Sequence, residues 1–316
     1  MKIIDPASIP AEQMKKLPLF FQPGYFGYVS DSRTKCLIIA DDNGVMVPLR
    51  IYRRFIFNTG QFLFCPMRFD GRPVETEEKV FLEKLIVFVR KKRMCDVLLA
   101  PIHVCLFHGS PKGAIVSKLG IISLGLEESS DTIFSGFSKT YRTQIKQCEK
   151  AGFQINMTEK HLEIFFDNYK KHHVRQKKAY ESIAGMQKLL SGMPENAKLF
   201  SVINAAGVWE GGVLLLYDRH RGYYLIGAKN EDSELHNGSQ KFLHWNIILF
   251  LKNKQVPFYN FGGHRYDLEN QDKFSSIQDF KMKFGSRIEE GIHFYIILSP
   301  KYHLYKTLIR LKEKAG

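Results

Sequence analysis

The sequence has no apolar stretch long enough to cross a membrane. Its longest apolar run, Phe242 to Leu251, is interrupted by His244 and Asn246 and falls far short of the about 20 residues a bilayer requires. The opening segment, Met1 to Lys16, lacks the apolar core of a secretory signal and carries Asp5 and Glu12, so a cytoplasmic protein is expected. Cysteine is scarce and unpatterned. The five residues Cys36, Cys65, Cys95, Cys105 and Cys148 form no C-x-x-C pair, which argues against a disulfide framework or a zinc knuckle and for buried thiols in a reducing compartment. Low-complexity tracts and short-period repeats are absent. So are a G-x-S-x-G elbow and an H-E-x-x-H helix. Gly109-Ser110-Pro111-Lys112-Gly113 lacks phosphate-loop spacing, and Pro111 removes a backbone donor. His172 and His173 lie about 100° apart on a helix, a poor metal pair.

What is present is positive charge and phenylalanine. A net charge of +14 over 316 residues suits phosphate-bearing partners such as RNA, nucleotide-sugars or an anionic membrane face, although a basic protein can be simply soluble. The 25 phenylalanines foretell an aromatic interior. Strands are expected at Cys36–Ala40, Val45–Tyr52 and Gln61–Cys65, the first two closed by Asn43-Gly44. A helix follows from Thr76 to Arg93, with Thr76 as cap, acidic residues first and Arg90-Lys91-Lys92-Arg93 last. Strands at Asp96–Pro101 and Leu119–Leu126 complete a first lobe, residues 1–128. A second lobe, 129–316, opens with a helix capped by Ser138 and stopped by Gly152. It continues with a strand at Phe153–Met157, helices at His161–Lys177 and Glu181–Ser191, and strands at Leu199–Asn204, Gly211–Tyr217 and Gly222–Gly227. A helix at Ser239–Asn253, a strand at Phe258–Gly262, a helix at Ser275–Phe284 and final strands end it. Antiparallel hairpins interrupted by helices indicate an α+β fold, and both halves run strands, helix, strand.

The helix at Ser276–Gly285 is the most informative segment. Ile277, Phe280 and Phe284 mark an apolar face on which Lys281 also falls. Lysine is rarely buried unpaired, so this one either sits where it could stabilise an oxyanion, or snorkels out to water or to Asp279 or Asp272. Upstream, Tyr259-Asn260-Phe261-Gly262-Gly263 ends a strand in two glycines, permitting close backbone approach of a ligand or an ordinary turn. Lys139, Arg142, Lys146 and Lys150 share one helix face, able to track phosphates or to serve as a solvated surface.

These segments resemble the FemABX aminoacyl transferases and the related BioF2-like acyltransferases. Tyr259-Asn260-Phe261-Gly262-Gly263, then Phe280-Lys281, then Phe284-Gly285 are similar to that superfamily's paired signatures. Phe20-Phe21-Gln22-Pro23-x-Tyr25, Ser138 through Gly152 and Tyr223-Tyr224-Leu225-Ile226-Gly227 are similar to further blocks. The resemblance implies two GNAT-like lobes, each a mostly antiparallel mixed sheet flanked by helices, without the long helical arm of some members. It also implies acyl transfer: an amino acid passes from aminoacyl-tRNA to an amine of a peptidoglycan precursor. Lys281 would stabilise the tetrahedral state or meet the donor, with Phe280 shaping the site. Arg142, Arg175, Tyr224, Tyr259, Gly262 and Gly263 would contact substrate. Two departures weaken the peptidoglycan assignment: Asn260 stands where the family usually has Asp, and the place of a phosphate-binding lysine, near Ser30, carries none.

No cofactor is expected, the acyl donor being a co-substrate. CoA as donor is the alternative within the superfamily, for an N-acyltransferase acting on a sugar or amino acid. His236-Asn237-Gly238-Ser239-Gln240 makes a glycine-poor pyrophosphate cradle, which argues against it. A reading from another class is a catalytically silent RNA- or nucleotide-sugar-binding protein, with strongly salt-dependent binding; no stable DNA binding is expected. Peripheral docking on the inner membrane is a third reading. It predicts partition to anionic vesicles at low salt, and absence of binding there removes it.

Overall fold

A computed structural model describes residues 1–54, 56–101, 103–230, 238–266 and 272–302, with the backbone alone for 272–275. The chain divides into two compact units, Met1–Ile121 with Glu290–Gly316, and Ile122–Glu289.

The first unit contains β1 (Lys2–Ile4), α1 (Ala11–Met14), α2 (Pro23–Val29), β2 (Thr34–Ala40), β3 (Met46–Arg54), β4 (Phe57–Phe62), α3 (Glu75–Lys91) and β5 (Val97–Leu99), and β6 (Ile115–Gly125) begins in it. β2, β3 and β4 form an antiparallel meander. The β2–β3 turn has Gly44 at φ 77°, and the Asp41 carboxylate accepts from the amides of Asn43 and Val45 at 2.9 and 3.0 Å. That is the tight hairpin the Asn-Gly pair requires. α3 then crosses over so that β5 lies parallel to β4. Its buried face is Phe81, Leu82, Leu85, Ile86 and Val89. Thr76 is not its cap: the helix starts one residue earlier, Val74 holds the capping position, and its N–H donates to Glu77 at 3.3 Å. Arg90 and Lys91 occupy the last turn, where they complement the negative helix end.

The second unit holds α4 (Ser130–Ser135), α5 (Lys139–Lys150), β7 (Gln154–Asn156), α6 (Leu162–Arg175), α7 (Ile183–Gly192), β8 (Ala197–Ile203), β9 (Trp209–Tyr217), β10 (Gly222–Lys229), α8 (Ser239–Asn253), β11 (Phe258–His264) and α9 (Asp272–Met282). β8, β9 and β10 form a second antiparallel meander. α8 crosses over, and β11 lies parallel to β10. The same order of three antiparallel strands, a helix and a parallel strand thus occurs in both units, and the fold is α+β. β9 is buried along its whole length. Its Gly212 lets β8 and α6 approach closely, since a Cβ there would lie 2.7 Å from the Phe200 carbonyl oxygen and 3.0 Å from the Phe165 ring.

Among the described residues one strand, β12 (Arg287–Ile297), comes last where final strands were expected. Its end pairs antiparallel with β5, Tyr295 opposite Leu99. Contacts therefore assign residues from Glu290 onward to the first unit, and 122–128 to the second, a different division from a cut after residue 128. The short helices α1, α2 and α4 and strand β1 carry too few periodic residues to be read from sequence.

α9 ends in a turn that sets the direction in which the chain leaves the helix. The amides of Phe284 and Gly285 donate to the carbonyls of Lys281 and Met282 at 3.2 and 3.0 Å, and Gly285 has φ 72°. A Cβ on Gly285 would lie 2.9 Å from the Gly136 carbonyl oxygen. Gly285→Ala combines left-handed strain with this clash, and should lower stability by about 2 kcal/mol in urea unfolding. An unchanged midpoint would show that the turn relaxes freely.

Candidate functional site

The second unit's core gathers the two motifs that the sequence singles out. Phe284 is fully buried and packs against Phe137, Tyr141, Phe261 and Phe280, ring centroids 5.0–5.4 Å apart. The Tyr141 hydroxyl donates to the Phe280 carbonyl at 3.2 Å, tying α5 to α9. Ile277, expected on the same face, is instead 44% exposed. Phe284 turns inward only because the chain leaves the helix after Met282, so the buried face belongs to the helix end and not to its middle.

Lys281 stands at this end. Burial alone lowers its pKa from 10.5 to about 8. Among the described residues no carboxylate pairs with it. The side chain of Asp272 and all of Asp267 lie outside the described residues, and so do His236 and Asn237 of the proposed cradle. Asp279 is exposed and near Tyr141, whose phenol it helps raise after burial.

The strand motif meets Lys281 at Gly262. A Cβ built there would lie 3.5 Å from Lys281 Nζ, and Gly262 has φ 99°, a conformation costly for other residues. Asn260 holds that turn: its side-chain oxygen accepts from the Gly262 amide at 2.7 Å. A carboxylate would accept the same bond, so asparagine in place of the family's aspartate keeps the turn. β10 pairs with β11 over only two positions, Gly222 with Tyr259 and Tyr223 with Asn260, and carries a bulge between Tyr224 and Ile226. Past the paired positions, the Tyr224 hydroxyl sits against Gly227, where a Cβ would lie 2.0 Å away. Burial pushes its phenol up to about 12.

At the crossing of these segments is His244, in mid-α8 and 2% exposed. Its ring contacts Tyr224, Tyr259, Phe261, Phe280 and Phe284, with centroids 5.3–5.9 Å apart. Nδ1 is hydrogen-bonded to the Tyr259 hydroxyl at 2.9 Å. Burial, then the Lys281 charge, lowers its pKa to about 3, so the imidazole is neutral. In the sequence His244 stands only as a break in an apolar run. A lone polar residue within the buried stripe of a helix is the one signal that could have found it.

The other expected site residues divide. Lys281, Phe280, Tyr224 and Gly262 come together, and Gly263 is half-buried beside them. Tyr259 belongs to the cluster but is fully buried, its hydroxyl engaged by His244. Arg142 donates to the carbonyls of Ser135 and Phe137 at 2.6 and 2.5 Å, joining α4 to α5. Arg175 lies instead on an open groove of about 530 Å³ along α6, with Asp167, Lys170, Lys171 and Val174. His173 binds the Tyr169 carbonyl at 3.0 Å, and among the described residues no cluster of His, Cys, Asp and Glu could hold a metal.

Residues 208–310 match the FemAB family model, a span that includes both motifs. The chain is FemABX-like. Over 106 residues it is 26% identical to the lipid II:glycine glycyltransferase of Staphylococcus epidermidis strain ATCC 35984, covering 32% of this chain and 25% of that protein. The matched region thus spans about a quarter of the relative's length. Among solved structures, the crystal structure of FemX superposes with a TM-score of 0.71 at 13% identity, over 96% of this chain and 99% of that one. L-PGS from Bacillus licheniformis gives 0.53 at 12%, over 87% and 88%. A tandem GNAT protein from clavulanic acid biosynthesis gives 0.50 at 11%, over 88% of each chain. These likenesses establish the fold, GNAT-like units in tandem. No helix among the described residues is long and apolar enough to cross a membrane.

The buried histidine of this FemABX-like core has a pH signature. With a folded pKa of about 3 against an ordinary 6.5, it binds its proton more readily in the unfolded chain. Stability should therefore fall as pH drops from 6.5 toward 3. His244→Phe, which retains an aromatic ring, should flatten that part of the stability–pH curve. An identical slope in wild type and variant would place the acid sensitivity elsewhere.

Proposed function

We propose that this protein is an aminoacyl transferase that forms an amide on an amine of a cell-envelope precursor, working in the cytoplasm with aminoacyl-tRNA as donor. The observation that carries the reading is Lys281, a half-buried ammonium whose pKa desolvation lowers, beside Gly262 and inside the region that matches the FemAB family. The glycyltransferase relative supports the reaction class.

The acceptor amine attacks the donor's ester carbonyl, and a tetrahedral oxyanion forms. Lys281 donates a hydrogen bond to that oxyanion, and the low-polarity surroundings strengthen the interaction. The Gly262 amide is engaged by Asn260, so the lysine is the principal donor from this corner. Phe280 and Tyr224 wall the site, and His244 with Tyr259 fixes the rings beneath it. Collapse of the intermediate expels the ribose hydroxyl and leaves the amide. The basic groove carrying Lys170, Lys171 and Arg175 suits the phosphates of a donor or acceptor.

The test is transfer of a labelled amino acid from charged tRNA to a wall precursor, with acetyl-CoA as competing donor. Lys281→Met should lower kcat by about two to three orders of magnitude while raising stability at pH 7, because it removes a buried charge. Wild-type kcat should also fall as pH rises through about 8, where Lys281 loses its proton. Transfer from acetyl-CoA and not from tRNA would move the assignment to an N-acyltransferase. Binding of RNA with no transfer from either donor would leave a silent binding protein.

A further inference from the structure

The first unit is polarised in charge along its strands. At one end are Asp41 and Asp42 of the β2–β3 turn and the acidic first turn of α3, Glu75, Glu77 and Glu78. Asp41 and Glu77 line one pocket there, and Arg68 and Arg72 neutralise part of the charge. The other end is cationic. α3 closes in Arg90 and Lys91, Lys92 and Arg93 follow, and all four are exposed. The chain is then fastened beside the start of β4: the Asp96 amide donates to the Asn58 carbonyl, and the Asp96 carboxylate accepts from the Asn58 amide, both at 2.8 Å. The amides of Leu298 and Ser299 donate to the Asp96 carbonyl at 2.8 and 3.2 Å, which brings exposed Lys301 to the same end. Arg54, opposite Phe57, ends the β3–β4 ladder. β2 begins beside it with Thr34 opposite Tyr52, between exposed Arg33 and Lys35.

At the tip of this basic end, in the connection from β3 to β4, stands Ile56. It is 71% exposed, more than any other large apolar side chain among the described residues. Hairpin connections favour Gly, Asn and Asp, which set the turn; a β-branched apolar residue in water contributes nothing to it. Helix-end charge matching accounts for Arg90 and Lys91, but not for Arg33, Arg54 or Lys301 on other elements. The acids of this end are turned to backbone: the Asp31 carboxylate accepts from the Arg33 amide at 2.7 Å, and that of Asp96 from Asn58.

We propose that this end of the first unit docks on an anionic phospholipid bilayer, with Ile56 entering the headgroup–acyl boundary and the neighbouring cations meeting the lipid phosphates. An exposed apolar tip flanked by lysines and arginines matches that surface on both counts: the negative leaflet attracts the cations, and the acyl chains take the isoleucine. A nucleic acid offers phosphates but no apolar phase for Ile56. The acidic opposite end sets the orientation, because an anionic surface repels it. The docking is independent of the transferase reading, since every residue in it belongs to the first unit.

Co-sedimentation of the 316-residue chain with vesicles of phosphatidylglycerol and phosphatidylcholine, against vesicles of phosphatidylcholine alone, tests this. The expected result is binding to the anionic vesicles that weakens with salt, and none to the neutral ones. Ile56→Ser should bind about tenfold more weakly, and the double variant Lys91→Gln, Lys92→Gln about twentyfold more weakly. Lys146→Gln with Lys150→Gln, an equal loss of charge on α5, should leave binding within about twofold of wild type. Ile56→Trp should bind at least as tightly as wild type, its emission moving to shorter wavelength when anionic vesicles are added. No binding to anionic vesicles, wild-type affinity in Ile56→Ser, or an equal loss in the α5 variant would overturn the proposal. So would binding of polyuridylate in place of vesicles, abolished by Lys91→Gln with Lys92→Gln, which would give the basic end to nucleic acid.

Discussion

Among the described residues no carboxylate pairs with the Lys281 ammonium; such a group is expensive to hold away from water, and this constraint organises the second unit. Desolvation weakens the protonation of Lys281, so folding must supply packing that holds the group in place. Close by, Phe280, Phe284, Phe261, Tyr259 and Tyr224 pack around His244, which feels the Lys281 charge; they come from α9 and the turn after it, β11, β10 and α8. The Gly285 turn directs Phe284 inward and leaves Lys281 facing Gly262. A polar environment would release the lysine into solvent and make its charge ordinary. Low-polarity surroundings strengthen its interaction with a developing negative charge.

His244 obeys the same logic. A charged imidazole beside Lys281 would repel it, and burial prevents that by holding the ring neutral. Its bond to Tyr259 satisfies two polar groups that have no access to water. The two motifs that bracket the site are therefore joined through a residue that belongs to neither.

Most elements were legible in the sequence because their signals are local: Asn43-Gly44 for a hairpin, Ser138 and Gly152 at the ends of α5, the apolar period of α3. The Lys281 and Gly262 pairing was legible as a motif resemblance, since two short patterns about 20 residues apart carry it. What stayed hidden was non-local. Periodicity could not show that Phe284 leaves the helix, that Ile277 faces water, or that β12 returns to β5. Nor could it show that Arg142 serves the α4–α5 backbone or that Tyr259 lies beneath the site.

The central claim is that Lys281 is a half-buried ammonium, with no carboxylate partner among the described residues, poised for catalysis. Titration of the lysine side-chain nitrogens by NMR, with Lys281 assigned by its loss in Lys281→Met, measures it most directly. The account predicts one ammonium titrating near 8, about 2 pH units below the others, and responding when a donor or acceptor analogue binds. A Lys281 resonance titrating with the bulk lysines, and indifferent to ligand, would contradict it.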